Sequence, residues 1–387
     1  MSVGYKINKR KTTHKLFLNI DNITNNRGRL TEYYDPGEPG SLGHIRPSAA
    51  FANLMYRVYF QLQFYFMMRA ATRHQYCNPD GLVVTKVPIP AMGKNDILVK
   101  VKASTVNRTD CAVLTGKPWI FRCFIGLFKP ARSTTGTDFA GIVVARGCNI
   151  THLEVEDNVY GFFDQGLCSH AEYVVVNEKR AVLKKPENVT YEQAAASLEG
   201  AHYAYYFLHK FNLKKGVKVL VNGGTGAIGN AALQFLKHLG AEVTVTCETD
   251  YVEVLELQGA NKVIDYTRQD FTKLNEQFDF IFDAVGKSSF GKCKPLLKPK
   301  GIYISSEPGR YCQNPLLALL APFMPGRRVK FPVPFSAHRS IQFINELLAD
   351  GNFKPLIDRR YRFDEISKAY EYVMSGQKKG NVIVIFD

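Results

Sequence analysis

The chain has no pair of cysteines at CxxC spacing and no short disulfide framework, so it is not a disulfide-stapled scaffold. Its eight cysteines, at positions 77, 111, 123, 148, 168, 247, 293 and 312, are scattered and read as reduced thiols. Met1 to Ile20 is basic and polar and lacks an apolar core, which excludes a cleavable secretory signal. A reducing, cytoplasmic setting is expected. There is no internal repeat, and no apolar run long and clean enough to predict an integral membrane span. The nearest approach, Phe51 to Met68, is at the lower length limit and contains Arg57 and two glutamines. Within it Phe51, Met55, Tyr59, Leu62 and Phe66 recur at helical spacing, which predicts a short amphipathic helix. Interfacial attachment and docking on the protein itself are both open for that helix.

Acidic residues are in deficit: 35 against 50 Lys and Arg, a formal charge of +15. Residues 1–66 carry nine basic and four acidic side chains, and no later stretch concentrates the remaining excess. This reads as a basic solvated surface that favours an anionic cofactor, and no nucleic-acid partner is expected. At 387 residues the chain is long for one compact core and comfortable for two.

Three regions differ in pattern. Residues 1–66 are rich in turn-forming Asn, Gly, Asp and Pro without a sustained period, and are expected to be a mostly disordered extension. Met67-Met68 stands where the patterned sequence begins, a possible translation start. From 69 to about 185, short strands such as 97–102, 141–145 and 171–176 alternate with Gly, Asn and Asp turns. A helical run over 191–209 follows. After it, apolar strands at 217–222, 242–246, 262–265, 278–283 and 301–305 alternate with amphipathic helices, predicting a parallel sheet covered on both faces. The tail returns to mixed structure: a helix over 340–349, a strand over 355–361, a helix over 364–374 and a strand over 381–386.

The strand 217–222 runs straight into Gly223, Gly224, Thr225, Gly226, Ala227, Ile228 and Gly229, and then into the helix 230–239. Gly224, Gly226 and Gly229 form GxGxxG in its strand–turn–helix setting. The first glycine is expected to allow the tight turn, the second to admit the pyrophosphate, and the third to let helix pack on strand. The amides and dipole of the helix start then stabilise the phosphates. This predicts a bound dinucleotide, NAD(P)(H).

Glu248 stands nineteen residues beyond Gly229, where an acid can accept from ribose hydroxyls and repel a 2′-phosphate. Asp250 would add to that repulsion, a solvated loop is the alternative reading, and Lys262 or Lys379 could instead meet the phosphate. NAD against NADP stays open.

From about Met68 onward the chain resembles the medium-chain dehydrogenase/reductase family, particularly its quinone oxidoreductase-like and NAD(P)-dependent alcohol dehydrogenase branch. The stretches that carry the likeness are 106–110 (VNRTD), 136–141 (GTDFAG), 157–161 (DNVYG), the glycine loop, 259–266 (GANKVIDY), 282–286 (FDAVG) and 379–384 (KGNVIV). The resemblance implies an α/β fold, a Rossmann doubly wound parallel sheet inserted into a GroES-like β-rich domain. The expected limits are 67–194 plus 335–387 for the GroES-like substrate-binding domain and 195–334 for the Rossmann domain. It implies Tyr266 and Lys379 as further cofactor contacts, and a homodimer paired through the strand near 328–334, where Pro332 and Pro334 shorten the usable edge.

Zinc-dependent relatives hold metal at positions that correspond here to Asn107, Thr137 and Glu199, which lack the thiolates and imidazole, so no zinc is expected. Without it, hydrogen-bond donors in the cleft must stabilise the oxygen that gains charge. Asn107 and Asp110 are the expected pocket residues; a helix-capping Asn-Asp turn is the other reading. Glu199, His202 and Tyr203 are proton-handling groups near the expected centre. Tyr203 or His202 is expected to supply the proton, unless both only face the domain interface.

The expected activity is hydride transfer between nicotinamide and a small molecule: an aldehyde or ketone, a quinone, or an enone. Substrate choice is expected in 115–132, where Trp119, Phe121, Phe124 and Phe128 suggest an apolar rim, a buried structural loop being the other reading. The alternative is a nucleotide-binding sensor or structural partner without turnover.

Overall fold

The computed structural model describes Ser2–Lys9, Thr12–Asn19 and residues 67–387 apart from 165, 210, 212, 324 and 335. The chain divides into two units, Met1–Phe66 and Met67–Asp387. In the first, β1 (Ser2–Lys9) pairs antiparallel with β2 (Thr12–Asn19), inside a segment expected to carry little order. The helix expected from Phe51 lies outside the described residues as far as Phe66. Met67 and Met68 belong to a strand instead, β3 (Met67–Thr72), which pairs with β4 (Val83–Pro88).

The second unit holds two larger sheets. The mixed one is built from β5 (Asp96–Val106), β6 (Asp138–Arg146), β7 (Asn158–Phe162), β8 (Tyr173–Asn177), β9 (Ala181–Lys184) and two strands of the tail. Along β5, Ile97, Val99, Val101 and Ala103 are buried in alternation, the period of two that puts one face on a core.

The parallel sheet comprises β10 (Lys218–Asn222), β11 (Glu242–Cys247), β12 (Lys262–Asp265), β13 (Phe278–Asp283), β14 (Leu297–Ser305) and β15 (Arg328–Lys330). The tail then adds β16 (Ile357–Arg362) and β17 (Asn381–Ile385), and β17 docks antiparallel on β5. The mixed sheet therefore runs β16-β17-β5-β6-β7-β9, with β8 also on β5. Its first strands and its last are separated by the whole parallel sheet in sequence, so the Rossmann unit is inserted into the β-rich one.

The parallel sheet runs β12-β11-β10-β13-β14-β15. Its order reverses between β10 and β13, and an open α/β sheet offers its ligand crevice at the carboxyl ends of strands flanking such a reversal.

Among the described residues ten α-helices follow in chain order: α1 (Arg108–Thr115), α2 (Arg122–Ile125), α3 (Tyr191–Ala196), α4 (Glu199–His209), α5 (Ala227–His238), α6 (Val252–Leu257), α7 (Phe290–Cys293), α8 (Gln313–Leu320), α9 (Ala337–Ala349) and α10 (Ile366–Met374). The helical run expected over 191–209 is interrupted. Both the amide and the hydroxyl of Ser197 bond back to the carbonyl of Ala194, which ends α3, and α4 restarts at Glu199. The break lets α4 start beside the glycine loop. Ala231, Ala232, Leu233, Phe235 and Leu236 of α5 are buried against the sheet, each large side chain worth about 1.5–3 kcal/mol of transfer free energy, so the glycine-loop helix stands on a rigid base.

Candidate active site

The turn after β10 is held by a short polar chain. The Gly223 amide donates to the Thr246 hydroxyl (2.9 Å), that hydroxyl donates to Asn222 Oδ1 (2.8 Å), and Asn222 Nδ2 donates to Asp283 Oδ1 (2.9 Å). The left-handed residue of the turn is Gly223, at φ +90°, and not Gly224 as the motif suggested. A Cβ at Gly224 would instead press on Leu255 and Val245, at 3.0 and 3.1 Å, so that glycine serves packing. At Gly229 a Cβ would lie 2.1 Å from the Gly223 carbonyl, the close approach expected of the third glycine.

Gly226 is different. It caps α5, and a Cβ there would meet nothing nearer than 3.6 Å. Gly226 thus leaves open space against the backbone at the start of a twelve-residue helix, which fits a pyrophosphate held by the amides of 225–228. Residues here that could hold the cofactor are those that GxGxxG singled out, together with Gly223, which it did not.

Three further sequence candidates come together at the end of β11. The Tyr266 hydroxyl and the Lys379 ammonium both donate to Glu248 Oε1. Lys379, with Tyr266, holds the Glu248 carboxyl below its usual range, and burial together with that carboxylate pushes the Tyr266 phenol up. Lys379 reaches the site because Gly380 bridges Gly226 in parallel register. Glu248 therefore carries a matched charge, and its repulsion of a 2′-phosphate is weakened. Lys262 is elsewhere, paired with Glu276 at 3.2 Å.

The floor between the sheets starts at α1. The Asn107 amide N–H donates to Asp110 Oδ2 (2.9 Å), so the pair does cap a helix. The Asn107 side chain also donates to Thr105 Oγ1 (2.6 Å) and to Asp138 Oδ2 (2.9 Å). Asp138 in addition accepts the Thr105 amide (2.8 Å). Asp110 and Asp138 are fully buried, and loss of solvation pushes both carboxyls up to about 7. Facing them, the Thr109 hydroxyl donates to Glu199 Oε1 at the start of α4. Arg108 and Glu307 form an ion pair at 3.2 Å between α1 and the segment after β14.

His202 is buried among the rings of Phe162, Tyr203 and Tyr206, its Nδ1 at 2.7 Å from the Ser340 hydroxyl of α9. Burial pushes its pKa down to about 4, so the imidazole is neutral at ordinary pH. Tyr203 is half-buried, and its phenol is pushed up, first by burial and then by Glu199. Sequence reasoning passed over Thr109, Asp138 and Lys378, which face this floor. The signal for Thr109 and Asp138 lay in VNRTD and GTDFAG, read there for resemblance alone, and Lys378 directly precedes the stretch that begins at Lys379.

The donor set does not suit zinc. Asn107 presents an engaged amide and Thr137 a neutral hydroxyl, and Glu199 is a buried carboxyl with its pKa raised. Among the described residues no group of three or more His, Cys, Asp or Glu is arranged to hold a metal. Also among them, no helix is long and apolar enough to cross a membrane.

Residues 93–205 match the alcohol dehydrogenase GroES-like domain model, and residues 258–384 match the model described as zinc-binding dehydrogenase. The chain is 30% identical over 329 residues to 2-methylene-furan-3-one reductase of Solanum lycopersicum, covering 82% of this chain and 79% of that one. It is 27% identical, with the same coverage, to the chloroplastic NADPH-dependent alkenal/one oxidoreductase of Arabidopsis thaliana. In fold it is similar to the quinone oxidoreductase of Coxiella burnetii, with TM-score 0.74 and 23% identity over 83% of this chain and all of that one. With the inserted Rossmann sheet, the glycine cradle and a cleft without metal ligands, this places the chain in the medium-chain dehydrogenase/reductase family, among its zinc-independent members related to quinone, enoyl and alkenal oxidoreductases.

Proposed function

We propose that this chain reduces an activated alkene, an enal or enone, with quinones as secondary substrates. The observation that carries the reading is the pair of hydroxyls, Thr109 and Tyr203, on a floor that offers no metal ligands. Hydrogen bonds alone polarise a conjugated carbonyl well, because the charge that develops spreads over an enolate, whereas a simple alcohol or ketone depends more on a Lewis acid. The relatives named for alkenal and methylene-furanone reduction support the same direction.

When bound, reduced nicotinamide supplies the hydride. Thr225 to Gly229 receive the pyrophosphate through backbone amides, and Glu248, Tyr266 and Lys379 meet the adenosine ribose. Asn107 and Asp110, locked by Thr105 and Asp138, shape the nicotinamide floor. His202 orients α4 through Ser340, which leaves Tyr203 and Thr109 to face the substrate oxygen. Residues 67–194 plus 335–387 act as the substrate lobe and 195–334 as the cofactor lobe. Trp119, Phe124 and Phe128, all exposed, form the apolar rim.

The free cysteines suit a reducing, cytoplasmic setting. A homodimer would use β15 together with Leu316, Leu319 and Phe323, which stand exposed beside that edge strand.

The test is oxidation of NADH and of NADPH, followed by fluorescence, against a panel of enones, enals, quinones and saturated aldehydes. Turnover fastest on the enones and enals is the expected result. Turnover confined to saturated aldehydes would overturn the reading, and binding without any oxidation would favour a sensor.

A further inference from the structure

We propose that Glu199 is the source of the proton in this reduction, acting through the hydroxyl of Thr109; the proposal rests on the reductase reading above. The carboxyl is placed by packing. Gly200, the next residue, has no room for a side chain, since its Cβ would lie 2.7 Å from that of Ala227, the first residue of α5. Glu199 is thereby pinned beside the start of the cofactor helix. One of its oxygens, Oε1, meets the Thr109 hydroxyl, and the other, Oε2, is buried with no hydrogen-bond partner. An ionised carboxylate with an unmatched buried oxygen is costly, whereas the neutral acid tolerates the site.

The groups facing Glu199 act in the same sense, with one exception. Asp110 of α1 and Asp138 of β6 both disfavour a further negative charge. Tyr203 lies on the same helix, and Lys378, ahead of Gly380, opposes them. Burial outweighs the lysine and pushes the Glu199 carboxyl up to about 8. The rival donors are poorer. The Tyr203 phenol is held above its ordinary range, and the His202 imidazole is neutral. Asp110 and Asp138 are raised acids as well, but they are bonded to Asn107 and Thr105, and Glu199 is the acid in contact with the Thr109 hydroxyl. Thr109 is half-buried where Glu199 is buried, so its hydroxyl links the enclosed acid to the cleft.

The step balances. Hydride from the reduced nicotinamide adds to the β carbon of the enone, and the π pair moves toward the carbonyl oxygen. With Glu199 protonated on Oε1 the hydrogen bond reverses, so Thr109 accepts the Glu199 proton as it gives its own hydroxyl proton to the enolate oxygen, and the enol so formed tautomerises in water to the saturated carbonyl compound. The alkene is reduced, the nicotinamide is oxidised, and the Glu199 carboxylate recovers its proton from solvent once the product leaves.

Two measurements test this. Infrared titration of the cofactor-free protein should show a protonated carboxyl lost near pH 8, and Glu199→Gln should remove that band. In turnover with the best enone of the panel, Glu199→Gln should lower kcat about 100-fold, the order lost with a general acid, and abolish the fall in kcat above about pH 8. NADPH binding, followed by fluorescence, should be unchanged. Thr109→Val should match that loss and Thr109→Ser should restore most of the rate, while Tyr203→Phe should lower kcat without moving the pH limb.

A Glu199→Gln enzyme within about twofold of wild type, or one that keeps the wild-type pH limb, overturns the proposal and leaves the reductase reading intact. So does a carboxyl band near pH 8 that survives the substitution, or no such band in the wild type. A wild-type chain that binds nicotinamide and reduces nothing removes the reading and takes the proposal with it.

Discussion

Four glycines within seven residues do different work, and the difference is measurable. Gly226 stands at open space, so Gly226→Val should fold normally, with its melting temperature within about 2 °C of wild type, yet lose dinucleotide affinity by about 100-fold or more in calorimetry. Gly229→Ala drives a methyl into the Gly223 carbonyl and should destabilise the fold by about 2–3 kcal/mol in urea titration. The motif marked where the nucleotide goes, but the tight turn falls on Gly223, because the Thr246 hydroxyl, itself bonded to Asn222, holds that amide from neighbouring β11, a contact no local pattern shows. The same holds at Glu248. Its place after β11 was legible in the sequence; its pairing with Lys379, 131 residues later, was not. Since Lys379 balances that carboxylate, Lys379→Ala should weaken NADPH about tenfold and NADH less, as measured by calorimetry with each nucleotide.

Strands and helices were easier to read than the breaks between them. Apolar runs buried on both faces, as in β10, β11 and β13, leave few alternatives to a parallel sheet. The interruption at Ser197 was missed because Ala, Tyr and Leu continue at helical spacing on either side of it. Only the packing of Gly200 on Ala227 shows why α4 must restart there. At the other end of the sheet, β15 is three residues long and ends before Pro332 and Pro334, so a ladder across a two-fold axis would add few hydrogen bonds. The exposed Leu319 and Phe323 beside it would then supply most of a dimer's affinity. If the proposed dimer forms, light scattering should show a dimer for the wild type and a monomer for Leu319→Glu combined with Phe323→Glu, with the wild-type circular dichroism kept.

Across the whole molecule the buried titratable groups set a pH window. His170 and His202, pushed down to about 4, are neutral in the fold, so acid below their ordinary 6.5 favours the unfolded chain. Asp110, Asp138 and Glu199 are raised to about 7, 7 and 8, so their contribution is full below the ordinary carboxyl range and is lost as pH rises through those values. Above 6.5 the histidines no longer contribute and the three carboxyls dominate, opposed by buried Lys378, whose ammonium burial pushes down. Scanning calorimetry should therefore show the melting temperature falling by a few degrees from about pH 6.5 to about pH 8.5, and Glu199→Gln should flatten that fall. The primary structure by itself determined the order of lobes, the parallel sheet and the nucleotide turn, since these follow from periodicity and from glycine spacing within one stretch of chain. Tertiary structure decided which acid faces which hydroxyl, because residues 109, 138, 199 and 378 come together only after the tail strand closes on β5, and burial, which no linear pattern records, sets their protonation.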